Sequence, residues 1–150
     1  MWSHHLGITA LERGEFKTAR DYFELNLKKA KETGNRDSEG AAYLNLGIAY
    51  LSLNELKKAL ELCQMGLIIA KETGNKDNEG AAYVSLSNAY LSLGELKKAL
   101  ELCQMGLSIA KETGSKDLEG AAYVSLGSVY SSAGEFKKAL ELYQMGLLIA

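Results

Sequence analysis

The stretch Gly80-Ala81-Ala82-Tyr83-Val84-Ser85-Leu86-Ser87-Asn88-Ala89-Tyr90 has near-copies at Gly40 to Tyr50 and at Gly120 to Tyr130, each 40 residues from the next. A second shared run follows every copy: Glu95 to Leu107 is matched from Glu55 to Leu67 and from Glu135 to Leu147. A period in that range signifies supersecondary units, helix pairs or blades, that bury their apolar faces against one another rather than around one centre. The 150 residues hold three and three-quarter such units, read as 1–34, 35–74, 75–114 and 115–150 of a single array. Because Gly14, Asn54, Gly94 and Gly134 are equivalent, the first and last units are incomplete, as in a piece of a longer array.

Within one unit the signals alternate between helix ends and helix faces. Gly34-Asn35, Gly74-Asn75 and Gly114-Ser115 pair a glycine able to end one helix in the left-handed region with a residue able to cap the next. This predicts a first helix, type A, over 36–53. It ends at Asn54, and the Gly/Asn exchange among its equivalents marks a position that needs positive φ. A second helix, type B, is expected from Glu55, whose carboxylate suits a helix N-terminus, to about Thr73. Leu56, Ala59, Leu60, Cys63, Gly66, Leu67 and Ala70 give its inner face, with Lys57, Lys58, Glu61 and Gln64 opposite. No proline interrupts either helix. The expectation is therefore an all-α fold of eight antiparallel helices.

The A helix is apolar nearly all round and must be covered on more than one face. Tyr43, Leu46, Gly47 and Tyr50 form one stripe, assigned to the B helix, with Gly47 and Ala59 small enough for close backbone approach. Leu44, Ile48 and Leu51 form another stripe at helical spacing.

Tyr43-x2-Leu46-Gly47-x2-Tyr50 followed by Ala59-x3-Cys63 resembles the tetratricopeptide signature, and the match recurs from Tyr83 to Cys103 and from Tyr123 to Tyr143, with Gly14, Phe16, Ala19 and Phe23 supplying its second half earlier. The family's usual period is shorter, and Lys71 and Lys111 stand where its closing proline would be. The 40-residue period and runs such as Ala-Lys-Glu-Thr-Gly-Asn look like the long-repeat subclass of the Partner-of-Inscuteable type of G-protein signalling modulators. Where those modulators often carry an arginine, this chain has Ala41, Ala81 and Ala121. The resemblance implies a right-handed superhelical solenoid whose A helices line a concave groove. Carried onto this chain, the groove positions are Ile8 and Leu11, then Leu44, Ile48 and Leu51, then Val84, Asn88 and Leu91, then Val124, Ser128 and Ser131. Such a groove grades from apolar to polar and suits an apolar or amphipathic peptide or helix of a partner protein. The implied role is a non-catalytic interaction scaffold, with a self-assembling array or the sensor module of a larger signalling protein as rivals.

The remaining residues exclude more than they assign. Seventeen basic against nineteen acidic side chains leave no footprint for nucleic acid. There is no apolar run of the ~20 residues a bilayer span requires, and the start lacks a signal peptide's pattern, so a cytoplasmic protein is expected. Cys63 and Cys103 stand where Phe23 and Tyr143 stand in other copies and read as core fillers, too far apart on equivalent helices for a disulfide. Adjacent His4 and His5 point about 100° apart on a helix and read as surface residues rather than metal ligands. No phosphate-binding glycine loop is present, so neither enzyme chemistry nor a cofactor is expected. Finally, Leu142, Met145, Leu147 and Ile149 leave the last B helix apolar where no further A helix is encoded, which predicts pairing with a second copy through that end.

Overall fold

The computed structural model describes residues 2–149. Seven residues with positive φ, spaced twenty apart, punctuate it: Gly14, Gly34, Asn54, Gly74, Gly94, Gly114 and Gly134. Between them lie α1 (Trp2–Glu12), α2 (Phe16–Thr33), α3 (Arg36–Ser52), α4 (Leu56–Thr73), α5 (Lys76–Ser92), α6 (Leu96–Thr113), α7 (Lys116–Ser132) and α8 (Phe136–Ile149), with no strand among the described residues. The sequence repeats every 40 residues but the backbone turns every 20, because both kinds of turn use one closure. At Gly34 the glycine N–H donates to the Lys31 carbonyl at 3.2 Å and the Asn35 N–H to Ala30 at 3.2 Å; at Asn54 the same pair of bonds reaches Leu51 and Tyr50, each at 2.9 Å. This is the Schellman arrangement, which satisfies the orphan carbonyls of a helix end and demands a left-handed residue. Asn54 sits there at φ 62, a conformation its short polar side chain tolerates better than most.

Helix starts divide into two kinds. The A helices are capped by side chains: Asn35 accepts from the Ser38 N–H at 3.1 Å, Asn75 from Asn78 at 3.0 Å and Ser115 from Leu118 at 3.3 Å. The B helices α2, α4 and α6 are not. Glu55 lies just before α4 rather than within its first turn, and its carboxylate makes no capping bond; its backbone carbonyl accepts from Ala59 instead.

The pairs are antiparallel and close. Gly40 near the start of α3 lies over Gly66 and Ile69 near the end of α4, whereas Gly47 further along α3 lies over Ala59 and Cys63 near its start. A Cβ at Gly47 would come within 2.6 Å of Cys63 Sγ, so anything larger than glycine there requires the cysteine side chain to shift. Where Ser87 replaces that glycine, its buried hydroxyl donates to the Ala99 carbonyl at 2.7 Å, which satisfies the one polar atom it brings in.

Residues 1–78 and 79–150 form two compact units. In the first, Phe23 of α2 is fully buried among Ala10, Ala19, Leu46 and Ala49, so α2 is held between α1 and α3. In the second, Ala99 and Cys103 of α6 pack with Tyr123, Leu126 and Val129 of α7. The two units share the bulk out differently: in the first the B helix α2 supplies the large Phe23, whereas in the second the B helix α6 supplies small residues and the following A helix α7 the large ones. Lysines close the joint. Lys31 Nζ lies 5.4 Å from the Tyr43 ring centre and Lys111 Nζ 5.9 Å from that of Tyr123, where the family's signature would place a proline.

Tyr123 is 5% exposed. Tyr123→Ala should cost about 3 kcal/mol, as buried aromatic truncations do. Urea unfolding followed by circular dichroism measures it; a loss below ~0.5 kcal/mol would take the ring out of the core.

Candidate functional site

The stripe carried over for the groove separates into two sets in three dimensions. Leu44 is 4% exposed and Val84 7%. Leu44 lies on Gly66, where a Cβ would meet its Cδ2 at 2.6 Å, and Val84 lies on Gly106 in the same manner. These two side chains fill the hollow that the B-helix glycine leaves and offer no surface to a ligand, contrary to the groove assignment. Their equivalent Val124 packs over Gly146 and is 49% exposed, opening toward the outer side of α7 and α8 rather than along the A helices.

The other positions stay half-open. In the first unit these are Ile8 and Leu11 on α1 and Ile48 and Leu51 on α3. Ile8 and Leu11 are partly covered by the cluster around Phe23. The α1–α3 seam also holds a polar pair absent from the sequence reading: Asn45 Nδ2 lies 3.3 Å from His4 Nδ1. An amide NH2 can only donate, so Nδ1 is the acceptor in this contact. His4 is therefore half-buried, beside the Phe23 ring at 6.4 Å, while its neighbour His5 is exposed.

In the second unit the half-open positions are Asn88 and Leu91 on α5 and Ser128 and Ser131 on α7. Ser125 donates to Asn88 Oδ1 at 2.9 Å, leaving the amide NH2 of Asn88 as the donor able to serve a ligand. Ser128 is engaged with the Val124 carbonyl at 3.0 Å and the Tyr143 hydroxyl at 3.1 Å. None of the eight half-open positions carries charge. The first unit offers branched and leucine side chains, the second an amide and hydroxyls, so the arrangement can hold main-chain and apolar groups rather than ions. Asn45 belongs to neither apolar stripe, and nothing in the sequence singled it out.

Both thiols are buried. Burial pushes the Cys63 thiol up to about 12, and Cys103 is shifted upward for the same reason, tempered by the Ser87 hydroxyl. Both are free and fill space against the A helix. Among the described residues no group of three or more His, Cys, Asp and Glu side chains gathers around a point where a metal could sit.

The last B helix differs from the sequence reading in detail. Leu147 is 77% exposed, but Leu142 and Ile149 are half-buried against the α6–α7 cluster. Met145 at 43% only matches Met105 at 47% and Met65 at 44%, so its register faces water in every unit. Leu147 opens specifically on α8, its counterpart Leu107 being half-buried, and so do Phe136 at 70% and Leu140 at 58%, whose counterparts Leu96 and Leu100 on α6 are half-buried. Comparing copies at one position, rather than reading one helix for apolarity, is what finds them.

Residues 1–72 and 78–150 match the family described as tetratricopeptide repeat. No curated protein matches the chain. Among solved structures it is similar to BtubC (BKLC) from P. vanneervenii, with 20% identity and a TM-score of 0.76 over 98% of this chain and 61% of that one. It is similar also to a Rap protein complexed with Competence and Sporulation Factor, at 15% identity and 0.91, covering 98% of this chain and 42% of that one. A third is a signal transduction ATPase with numerous domains, with a tetratricopeptide repeat sensor, from Pyrococcus horikoshii, at 20% and 0.73, covering 98% and 23%. The chain thus spans less than two thirds of each of these structures, and at such identities the likeness is one of fold.

The buried thiols make a chemical prediction. At pH 8 iodoacetamide should leave Cys63 unmodified in the folded chain and label it once urea unfolds the protein, read by mass spectrometry. The linkage has a sign too. A thiol held protonated in the fold but free to ionise near 9 when unfolded contributes stability that is complete below pH 9 and is lost as pH climbs toward 12. The urea midpoint should fall over that window, and less so in Cys63→Ala than in the parent chain.

Proposed function

The chain belongs to the tetratricopeptide repeat family, and on that premise we propose that it is a non-catalytic scaffold that holds a peptide or helix of a partner protein along its A helices. The observation that carries this reading is that each unit leaves uncharged positions half-open on its A helices: Ile8, Leu11, Ile48 and Leu51 in one, Asn88, Leu91, Ser128 and Ser131 in the other. Branched apolar groups and an amide donor match an extended or amphipathic segment, whose side chains need apolar contact and whose main chain needs hydrogen bonds. In this reading the first unit offers a ligand apolar contact, and in the second Asn88 can donate to a main-chain carbonyl. It places the protein in the cytoplasm, where unpaired Cys63 and Cys103 stay reduced. The long period, with 17 residues in α3 and 18 in α4, supports the subclass that resembles the Partner-of-Inscuteable type.

A second reading, a regulatory sensor within a larger protein, is favoured by one observation. The similar signal transduction ATPase is described as carrying its tetratricopeptide repeats as a sensor, and this chain covers 23% of it. In both readings the half-open positions are the recognition surface.

An array of apolar and amphipathic peptides identifies a ligand, and Ile48→Asp then tests the surface. A buried charge against an apolar ligand should weaken capture by about a hundredfold, the scale of a few kcal/mol of unpaired desolvation. Far-UV circular dichroism and the melting temperature should stay nearly unchanged. Loss of binding and fold together would make Ile48 a core residue and remove it from the recognition surface.

A further inference from the structure

Sulfur stands in two registers of the B helices. Cys63 and Cys103 are buried against A helices. Two residues further on, Met65 and Met105 face water on α4 and α6, as does Met145 on α8, and the three exposures lie between 43% and 47%. Their surroundings agree as well. An exposed glutamate stands one turn before each sulfur and an exposed glutamine directly before it: Glu61 and Gln64, Glu101 and Gln104, Glu141 and Gln144. Packing does not call for methionine here, since α2 carries Leu25 in the same register, also exposed, and has the same 18 residues as α4 and α6. What methionine brings that leucine lacks is a sulfur lone pair within reach of a two-electron oxidant. Open thioethers in one register and withdrawn thiols in another divide the sulfur of the chain by reactivity.

We propose that Met65, Met105 and Met145 are surface sites of reversible oxidation by small hydroperoxides. With hydrogen peroxide, the sulfur lone pair attacks one peroxide oxygen; an S–O bond forms and the O–O bond breaks. The departing hydroxide takes the proton of the transferred oxygen and leaves as water. Two electrons pass from sulfur to peroxide, and the thioether becomes a sulfoxide. That product is polar and would disrupt a core, but at these positions it meets water, a glutamate and a glutamine. In the first unit Met65 lies one turn from the exposed Ile68, and oxidation turns this apolar pair into a mixed one. The second unit changes at two places, Met105 and Met145. The thiols do not compete, because a thiol reacts as its thiolate and Cys63 and Cys103 are buried and held protonated. The outer register of the B helices thus changes from apolar to polar while the helix pairs stay packed.

The test treats the full chain with hydrogen peroxide at neutral pH, quenches at intervals, and reads the tryptic peptides 59–71, 99–111 and 139–150 by mass spectrometry after the thiols have been alkylated in urea. These peptides differ in sequence, so each methionine is followed separately. One oxygen should appear on Met65, Met105 and Met145 at rates within about threefold of one another, as equal access requires, with both cysteines recovered as alkylated thiols. Far-UV circular dichroism and the urea midpoint should not move. The two methionine sulfoxide reductases, one for each sulfoxide epimer, should return all three peptides to their starting mass with a thiol reductant, which gives up two electrons as the oxygen leaves in water. Met65→Leu, copying Leu25 of α2, should remove one oxygen and leave the other two rates unchanged. The proposal is overturned if any of the three methionines reacts more than about tenfold slower in the folded chain than in urea, the mark of a sulfur shielded by the fold. Oxidation of Cys63 or Cys103 ahead of the methionines, a fall in the urea midpoint on oxidation, or sulfoxides that the reductases fail to reverse would overturn it equally.

Discussion

The close approach of paired backbones at small residues is the constraint from which the rest follows. Gly47 on α3 lies so close to Cys63 that a Cβ would displace its sulfur, and Gly40 and Gly66 bring their main chains almost into contact. With the crossing emptied of side chains, bulk moves to the flanks. Leu44 fills the hollow over Gly66, and Leu46 packs with Phe23 of the preceding B helix. Dense packing of this kind gathers many weak dispersion contacts that a gap of less than an ångström would forfeit. An A helix must satisfy its own B helix on one side and the preceding one on another. The surface left to it is a narrow uncharged strip, so the candidate site takes its character from the packing rule.

The joints between repeats are held partly by charge. Lys31 over Tyr43 and Lys111 over Tyr123 are cation–π contacts of about 0.5–1 kcal/mol at exposed sites. Their methylene stems also cover ring faces that would otherwise meet water. A proline at the same place would stiffen the chain by removing freedom from the unfolded state. Lysine instead ties the ring from outside and lets the B helix run on to its Schellman turn. A further lysine set, Lys58 on Tyr50, Lys98 on Tyr90 and Lys138 on Tyr130, does the same within each pair. Tyr50 is also tied across to α2 by donating to Glu24 at 3.0 Å.

Helix ends were readable from the sequence because their chemistry is local. Asn35 and Ser115 cap where their side chains reach an N–H three residues on, and Asn54 betrays positive φ through its glycine equivalents. The site was harder to read because it depends on where two helices cross. Leu44 and Asn45 differ by one residue, yet the position of Gly66 puts Leu44 inside and Asn45 on the seam with His4. Apolar periodicity does not register a crossing point. It likewise could not separate Leu140, open on α8, from Leu142, half-buried on the same helix. The copies themselves held the answer, since residues with one identity and two exposures report the presence or absence of a neighbour.

The short turns have a kinetic consequence. Residues 56–67 of α4 and 96–107 of α6 are the same twelve amino acids, so contact chemistry alone cannot tell α3 which of them to choose. Distance along the chain can. Three residues separate α3 from α4, whereas more than forty separate it from α6. Closing the longer loop costs on the order of 2 kcal/mol more in chain entropy, and the nearer helix is met first during a collapse in which local encounters are fastest. Correct order in a chain of near-identical parts is thus enforced by the brevity of its turns, and lengthening one of them would erode that discrimination without removing a single native contact.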